Sequence, residues 1–230
     1  MTFIFRILIS FSLLFNFFIV SAQQPVDNGD NIYGLDPLLY NGRSYTYFLP
    51  STTGGNQYLN DSQFENGSVT IRGITFNKLV LNYDIFNQEL ILKFNTNLAG
   101  TMVIIISEAW LESFSFRDLN FELITSQDTL KRIYQVLGTG PSRILYFWKK
   151  DLELDNVQGS KKYSFTSAKK EMYLYRGGNI LKYRNNKIFY SLFGPDKSTS
   201  IKEYLRKNKI NVKKVTDKTM TKLISWCNSL

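Results

Sequence analysis

Histidine is absent from the 230-residue chain, and cysteine occurs once, as Cys227. Without histidine, the chain lacks the usual general base of serine and cysteine hydrolases and the commonest zinc ligand. A single cysteine also rules out a disulfide within the chain, although many extracellular domains of this size use them. From these shortages we predict no metal site and no cofactor. The absence of histidine also argues against the commonest hydrolytic chemistry.

Long apolar runs are scarce, and the one that exists lies at the N-terminus. Arg6 precedes a stretch from Ile7 to Val20 that only two serines and one asparagine interrupt, and Ala22 closes it. A charged start, an apolar middle and a small-residue exit are typical of a cleavable secretory signal peptide. The alternative is an uncleaved anchor, but the run is short for a span of about 20 residues. We expect residues 1–22 to be removed, with no transmembrane span left in the mature chain.

Charge is divided unevenly along the chain, whose net charge is +9. Residues 23–140 carry 7 Lys and Arg against 12 Asp and Glu, whereas residues 141–230 carry 20 against 7. The C-terminal part is therefore a basic region on a mildly acidic body.

The middle of the chain alternates apolar and polar residues with a period of two. Val69 and Ile71 begin the pattern, which continues to about Tyr183 with turn residues between the segments. Such alternation is typical of strands with one buried face. We predict a mainly β fold, an antiparallel meander that forms a roll, a sandwich or an open barrel, over residues 45–194. Residues 23–44, rich in Asn, Asp and Gly, are predicted to form a flexible lead-in.

Individual segments give more specific expectations. Tyr45 to Leu49 is a first strand candidate, Met102 to Ile106 is a central strand because both of its faces are apolar, and Ile188 to Phe193 is a last strand-like or mixed segment. Glu108 to Glu112 is predicted as a helical turn. Asp84, at a strand end beside a turn, is expected to be solvated.

After Pro195 the apolar period becomes helical. Ile201, Tyr204 and Leu205 form one stripe, which one of the residues 198–200 is expected to cap. A second stripe runs from Met220 to Cys227, with Thr216 as its cap and Asp217 in the first turn. We therefore predict two short amphipathic helices in residues 195–230, a basic appendage packed on the β domain.

The basic C-terminal region provides the candidate binding residues. Such a density of cations attracts polyanions by Coulomb interaction and counterion release. The alternative is a solvated polar side on two amphipathic helices. The candidates for polyanion binding are Lys202, Arg206, Lys207, Lys209, Lys213 and Lys214.

Paired carboxylates are the remaining route to catalysis in a chain without histidine, as in glycosidases. The candidates in the β-rich part are Asp84, Glu89, Glu108, Glu112, Asp118 and Glu122, and their spacing brings no pair together. The sequence therefore names no catalytic residue and favours a protein that is not an enzyme. Trp110, Trp148 and Trp226 are candidates for stacking on sugar rings, and in Tyr146-Phe147-Trp148 one face must point outward.

Gly73-Ile74-Thr75-Phe76 is followed by Leu79 to Ile85 and by Gln88-Glu89-Leu90, and the tail contains the run from Ile201 to Ile210. In these segments, and in the Ala-Gln at the processing site, the chain resembles a family of exported Bacteroidetes proteins of unknown function. The resemblance implies a periplasmic or surface location and no functional residue.

Together these features predict an exported, non-enzymatic protein of a bacterial cell envelope, secreted across the inner membrane to the periplasm or cell surface. It is expected to be a binding or structural module whose basic C-terminal face contacts an anionic envelope polymer or lipid, or another envelope protein. Export argues against nucleic acid as a partner. Two alternatives stay open: a carboxylate-dependent, carbohydrate-active hydrolase, and an accessory subunit of an envelope complex.

Overall fold

A computed structural model of the chain describes residues 36–96, 100–125, 131–157 and 160–230. The predicted signal peptide and residues 23–35 of the lead-in lie outside the described residues. Thirteen strands precede the helices. They are β1 (Arg43–Ser44), β2 (Glu65–Ile71), β3 (Ile74–Asp84), β4 (Glu89–Thr96), β5 (Gly100–Ile105), β6 (Leu111–Phe116), β7 (Leu119–Thr125), β8 (Lys131–Leu137), β9 (Ser142–Lys149), β10 (Leu152–Val157), β11 (Ser160–Phe165), β12 (Lys169–Arg176) and β13 (Asn179–Tyr183).

Three helices close the chain: α1 (Asn186–Ser191), α2 (Pro195–Lys207) and α3 (Asp217–Ser229). Thr216 caps α3 as predicted, because its side-chain oxygen accepts a hydrogen bond from the Thr219 amide at 3.3 Å. The predicted cap of α2 is wrong. Gly194 occupies that place and Pro195 is the first helical residue, where its fixed φ and missing N–H suit a helix start.

Eleven strands form one antiparallel sheet in the order β1-β5-β4-β3-β2-β6-β7-β8-β9-β12-β13, and β10 and β11 form a separate hairpin. Most neighbours are consecutive in sequence, so the predicted antiparallel, mainly β fold with short C-terminal helices is confirmed. The sheet is open, because β1 and β13 are its two edges and do not pair with each other.

Three local predictions are wrong. The segment from Met102 to Ile106 is not central, since only the two residues of β1 lie beyond β5, and Met102 is exposed. Tyr45 to Leu49 is not a strand, because β1 ends at Ser44 and only the Tyr45 amide continues the pairing, to the Val103 carbonyl. The expected helical turn at 108–112 is a turn over 108–110 that leads directly into β6.

The segment from Ile188 to Phe193 is helical, not strand-like. Asn185 caps α1, its side-chain oxygen accepting from the Ile188 amide at 2.9 Å. The two apolar pairs 188–189 and 192–193 repeat at four residues, which places Phe189 and Phe193 on one side of the turn, where both are buried.

The inner face of the sheet carries two hydrophobic clusters side by side. One lies over β2 to β7 and contains Leu81, Tyr83, Phe114 and Phe121. The other lies between β9, β12 and β13 and the three helices; its members include Ile144, Tyr146, Met172, Ile201 and Leu223. The helices therefore cover only the second half of the sheet.

Strand register shows that both clusters lie on the same face. Phe121 lies opposite Gln135, Gln135 opposite Tyr146, Tyr146 opposite Met172, and Met172 opposite Tyr183. Directly opposed residues of antiparallel strands share a face. This row thus crosses from the first cluster to the second, and Gln135 marks the boundary between them.

The outer face of the second half carries a smaller cluster of Tyr134, Val136, Leu145 and Tyr173, with Phe147 packed against it. Of the two possibilities for the segment 146–148, the structure has Phe147 on the outer face and Tyr146 and Trp148 on the inner one. Charged side chains lie over the aromatic rings of this cluster. The Arg132 guanidinium carbon, for example, is 5.3 Å from the Phe147 ring centroid, so a charged group faces the solvent there.

Candidate functional site

The six predicted binding residues lie in the helical layer. Lys202, Arg206 and Lys207 belong to α2, and Lys209, Lys213 and Lys214 lie in the segment that joins it to α3. Lys218 and Lys222 of α3 extend the group. We call these eight residues the basic helical surface. All eight side chains are exposed, and none has an ion pair or a side-chain hydrogen bond with another described residue.

The end of α2 shows how the chain presents this group. Lys209 adopts a left-handed conformation with φ 52°, and the Ile210 amide donates to the Leu205 carbonyl at 2.9 Å. This arrangement satisfies carbonyl groups that a helix end leaves free. It turns the chain away from the helix axis, so that the following segment, with Lys213 and Lys214, runs back toward α3 with its polar side in solvent.

Cations of the sheet are arranged differently, because many of them meet a carboxylate. Glu171 accepts from Lys182 at 2.8 Å and pairs with Lys149 at 3.1 Å. These cations and the Tyr173 hydroxyl hold the pKa of Glu171 down, to about 2, with the Lys182 hydrogen bond as the largest cause. Arg143 likewise donates to both carboxylate oxygens of Glu122 at 2.7 Å.

Few acidic residues accompany the basic helical surface. From Arg184 to the C-terminus the sequence contains Asp196, Glu203 and Asp217 as its acidic side chains. Asp217 is turned toward the sheet, where it accepts from the Gln135 amide nitrogen at 2.6 Å. The positive potential of the eight cations is therefore offset on α2 by two exposed acidic side chains, Asp196 and Glu203.

A cleft of about 660 Å³ opens beside α3, at the boundary between the two hydrophobic clusters. Its walls are the β6–β7 hairpin, the end of β8 and the side of α3 that faces them. Hydroxyl, amide and carboxylate side chains supply most of its polar lining: Ser68, Ser113, Ser115, Asp118, Asn120, Glu122, Gln135, Thr139, Asp217, Thr221 and Ser225.

A chain of polar contacts joins the cleft to the interior. The Trp148 indole donates to the Gln135 side-chain oxygen at 2.7 Å, and Gln135 donates to Asp217. The Lys170 ammonium lies 3.8 Å from the other Asp217 oxygen and 3.8 Å from the Tyr146 ring centroid. Burial lowers the pKa of Lys170, which Asp217 partly opposes. These contacts fix the start of α3 on the sheet.

Of the six candidate carboxylates, Asp118 and Glu122 line this cleft together. Glu122 is engaged by Arg143, and Asp217 on the opposite wall by Gln135 and Lys170. Neither is therefore a free carboxylate facing a partner across open space, which is the arrangement that a two-acid hydrolase requires.

Glu89 and Glu108 line a second cleft, of about 400 Å³, beside the N-terminal segment. Glu89 pairs with Arg43. Burial raises the pKa of Glu89, with Arg43 acting against it and the charges of Asp84 and Glu108 acting with it. The structure thus brings these two acids together, although they are 19 residues apart in the chain.

The other two acids, Asp84 and Glu112, accept structural hydrogen bonds. Asp84 is completely buried, so its expected solvation is wrong. It accepts from the Phe86 and Asn87 amides at 3.0 and 2.8 Å and from the Tyr45 hydroxyl at 3.1 Å. The segment before β2 folds over this turn and excludes water. Glu112 accepts from the Gly73 amide at 3.1 Å.

The tryptophans do not form a sugar-stacking surface. Trp148 points inward, and Trp226 stacks on Tyr204 with ring centroids 4.0 Å apart, holding α2 and α3 together. Trp110 is exposed but covered on one side by the Arg72 guanidinium, 3.8 Å from the ring centroid.

Within the described ranges, no three or more Cys, Asp and Glu residues gather into a group that could hold a metal ion. Nor does any helix of that part of the chain have the length and apolar character to cross a membrane. Two glycine-rich segments, at 138–140 and 177–178, connect the hairpin strands β8 and β9 and the hairpin strands β12 and β13.

The cleft and its Gln135 network were missed by sequence reasoning. Gln135 occupies an inward position of an alternating strand, but a lone polar residue there does not reveal which partners it meets. Comparison with known proteins adds no identity, because the chain matches no protein-family model, no curated protein and no solved structure at a significant level.

Proposed function

We propose that this chain is an exported, non-enzymatic protein of a bacterial cell envelope, and that it binds an anionic partner through the basic helical surface. The observation that supports this most directly is the contrast in charge pairing. Cations of the sheet such as Lys149, Arg143 and Lys182 meet carboxylates, whereas the eight cations of the helical layer meet none.

The contrast in charge pairing bears on which cations can bind an external anion. Cations that already pair with a carboxylate gain little from an external anion, since the new contact replaces an old one. Unpaired, exposed cations keep an atmosphere of counterions that a polyanion displaces on binding, and the released ions drive association. The basic helical surface is thus the part of the described chain best suited to a polyanion.

The compartment in this proposal comes from the sequence. Arg6, the apolar run that follows it and Ala22 form the predicted signal peptide, and the chain carries no pair of cysteines. The resemblance to exported Bacteroidetes proteins agrees with this location. In a bacterial envelope the available polyanions are acidic polysaccharides, lipopolysaccharide and anionic lipid surfaces.

A carboxylate-dependent hydrolase has less support. Asp118 and Glu122 share a cleft, but Arg143 occupies both oxygens of Glu122. A binding module needs only the exposed cations, which are present and free of internal partners.

Binding of the mature chain, residues 23–230, to immobilised heparin tests the proposal, with heparin as a generic sulfated polyanion. We expect affinity to fall steeply as the sodium chloride concentration rises. Each counterion released on binding then gains less entropy, because the surrounding solution already contains more salt. The triple variant Lys202→Gln, Arg206→Gln, Lys222→Gln is expected to elute at clearly lower salt than the unmodified chain.

The matched control is Lys93→Gln, Lys162→Gln, Lys169→Gln, which removes three exposed cations from the sheet and hairpin and gives the same net charge. It should elute close to the unmodified chain. Equal losses in the two triple variants would show that net charge, and not the helical layer, governs binding. Binding that does not respond to salt would also contradict the proposal.

A further inference from the structure

The basic helical surface spans two helices, α2 and α3, which share one hydrophobic cluster on the inner face of the sheet. Ile201 and Leu205 of α2 and Met220 and Leu223 of α3 are buried in one cluster with strand residues such as Tyr146. The stacked rings of Tyr204 and Trp226 join the two helices laterally. Both helices therefore bury their apolar sides in one cluster, and their opposite sides are exposed to solvent.

Helical periodicity places the cations on those outward sides. At about 100° per residue, Lys218 and Lys222 lie directly opposite the stripe of α3 that contains Met220 and Ile224. Lys202 and Arg206, also four residues apart, lie next to each other on the exposed arc of α2. These cations therefore lie on the exposed sides of the two helices, together with the acidic Asp196 and Glu203.

The form of this surface indicates what it fits. The described clefts are lined by strands, turns and the inner side of α3, and of the eight cations only Lys218 lines one of them. A small anion or a polysaccharide chain is held best in a groove that surrounds it. Seven of the eight cations lie outside the described clefts, an arrangement that instead matches an extended anionic surface.

Apolar side chains at the margin add to this match. Leu230 follows the end of α3 and is 45% exposed, while Ile210 and Val215 are half-buried in the segment that carries Lys213 and Lys214. Protein segments at a lipid surface combine cations, which meet the headgroups, with a few apolar side chains at the headgroup boundary.

We infer that the anionic partner is the surface of a lipid bilayer that contains anionic lipids, which the helical layer contacts peripherally. This rests on the proposed function and specifies the partner. Each Lys or Arg near such a surface strengthens binding about fivefold, so several weak contacts together give reversible, salt-sensitive attachment. The sheet would then lie behind the helices, with its outer face turned away from the bilayer.

Cosedimentation of the mature chain with vesicles tests the inference. One set contains phosphatidylglycerol mixed with phosphatidylcholine, and the other contains phosphatidylcholine alone. We expect binding to the first set at low salt and no binding to the second set. Bound protein should be released as the salt concentration approaches about 1 M, where the screening length falls to about 3 Å. Inorganic phosphate at matched ionic strength should not compete, because none of the described clefts gathers these cations around a single anion.

The triple variant Lys202→Gln, Arg206→Gln, Lys222→Gln is expected to bind the anionic vesicles at least about tenfold more weakly. The control Lys93→Gln, Lys162→Gln, Lys169→Gln should bind as the unmodified chain does. Circular dichroism and thermal unfolding of both variants verify that they are folded.

The outcomes separate the inference from the proposed function. If the chain binds heparin through the helical layer but binds the two vesicle sets equally, or neither, the partner is a soluble polymer and the lipid inference is wrong. Specific competition by inorganic phosphate would overturn it in the same way. If neither heparin nor anionic vesicles bind, the proposed function fails as well.

Discussion

Gln135 lies at the boundary between the two hydrophobic clusters of the inner face. It is the polar member of a row across the strands, in which Phe121 and Tyr146 are its direct neighbours and Met172 and Tyr183 follow beyond Tyr146. A buried amide needs partners for both its N–H and its oxygen. Gln135 obtains them from Asp217 at the start of α3 and from the Trp148 indole, and thereby ties the helix to the sheet.

We predict that Gln135→Leu destabilises the chain by about 1–3 kcal/mol, because the Trp148 N–H loses its acceptor and Asp217 loses a donor. Chemical denaturation followed by tryptophan fluorescence measures the change. The same substitution at exposed Gln63 is the control and should cost less than about 0.5 kcal/mol. Equal stability of the two variants would mean that the network contributes nothing beyond packing.

Helix α3 shows what a cap and a buried stripe do together. Thr216 satisfies an amide at its start, and Met220, Leu223, Ile224 and Cys227 are all buried against the sheet and α2. Cys227 is 1% exposed, and burial raises the pKa of its thiol to about 12. A thiol reagent therefore reaches the reactive thiolate only when α3 opens.

Thr216→Ala should increase the rate of Cys227 labelling by about fivefold, since loss of an N-cap costs about 1 kcal/mol. A thiol-specific chromogenic reagent, followed under native conditions, provides the measurement. The control Thr199→Ala removes the same side chain from an exposed position inside α2 and should leave the rate nearly unchanged. If native Cys227 reacts as fast as it does in denaturant, the described burial of α3 is wrong.

At the scale of the whole molecule, the helices contribute buried side chains to the second hydrophobic cluster. Ile144, Tyr146, Met172 and Leu174 of the sheet meet α2 and α3 on the inner face. Each large apolar side chain contributes about 1.5–3 kcal/mol when buried. Total folding stabilities are of the order of 5–15 kcal/mol, so exposure of this group exceeds what the rest of the sheet can offset.

Removal of residues 195–230 is accordingly expected to abolish cooperative unfolding and to expose surface that binds a hydrophobic dye. Removal of Ser229 and Leu230 alone, both exposed, is the control and should leave the unfolding midpoint nearly unchanged. Thermal unfolding and dye fluorescence report the two effects. A fragment of residues 23–194 that unfolds as cooperatively as residues 23–230 would contradict this expectation.

Sequence periodicity predicted most strands and the two longer helices because each element presents one apolar side. It misjudged the segment from Ile188 to Phe193, where six residues allow either period and the Asn185 cap decides. It also misjudged Met102 to Ile106, because an apolar run shows how buried a strand is, while its position in the sheet depends on partners distant in sequence. The burial of Asp84 was missed for the same reason, because the segment that covers it begins about 40 residues earlier.

The sequence by itself determined the mainly antiparallel β architecture, the helical C-terminus and the excess of cations there. Each of these follows from local spacing and composition, which are properties of neighbouring residues. Only the tertiary structure decided that sheet cations such as Arg143, Lys149 and Lys182 meet carboxylates while the eight cations of the basic helical surface do not. Ion pairs such as Arg143–Glu122 join residues of different strands, and their formation depends on register. The eight cations of the basic helical surface meet no such partner among the described residues, so they stay exposed and unpaired.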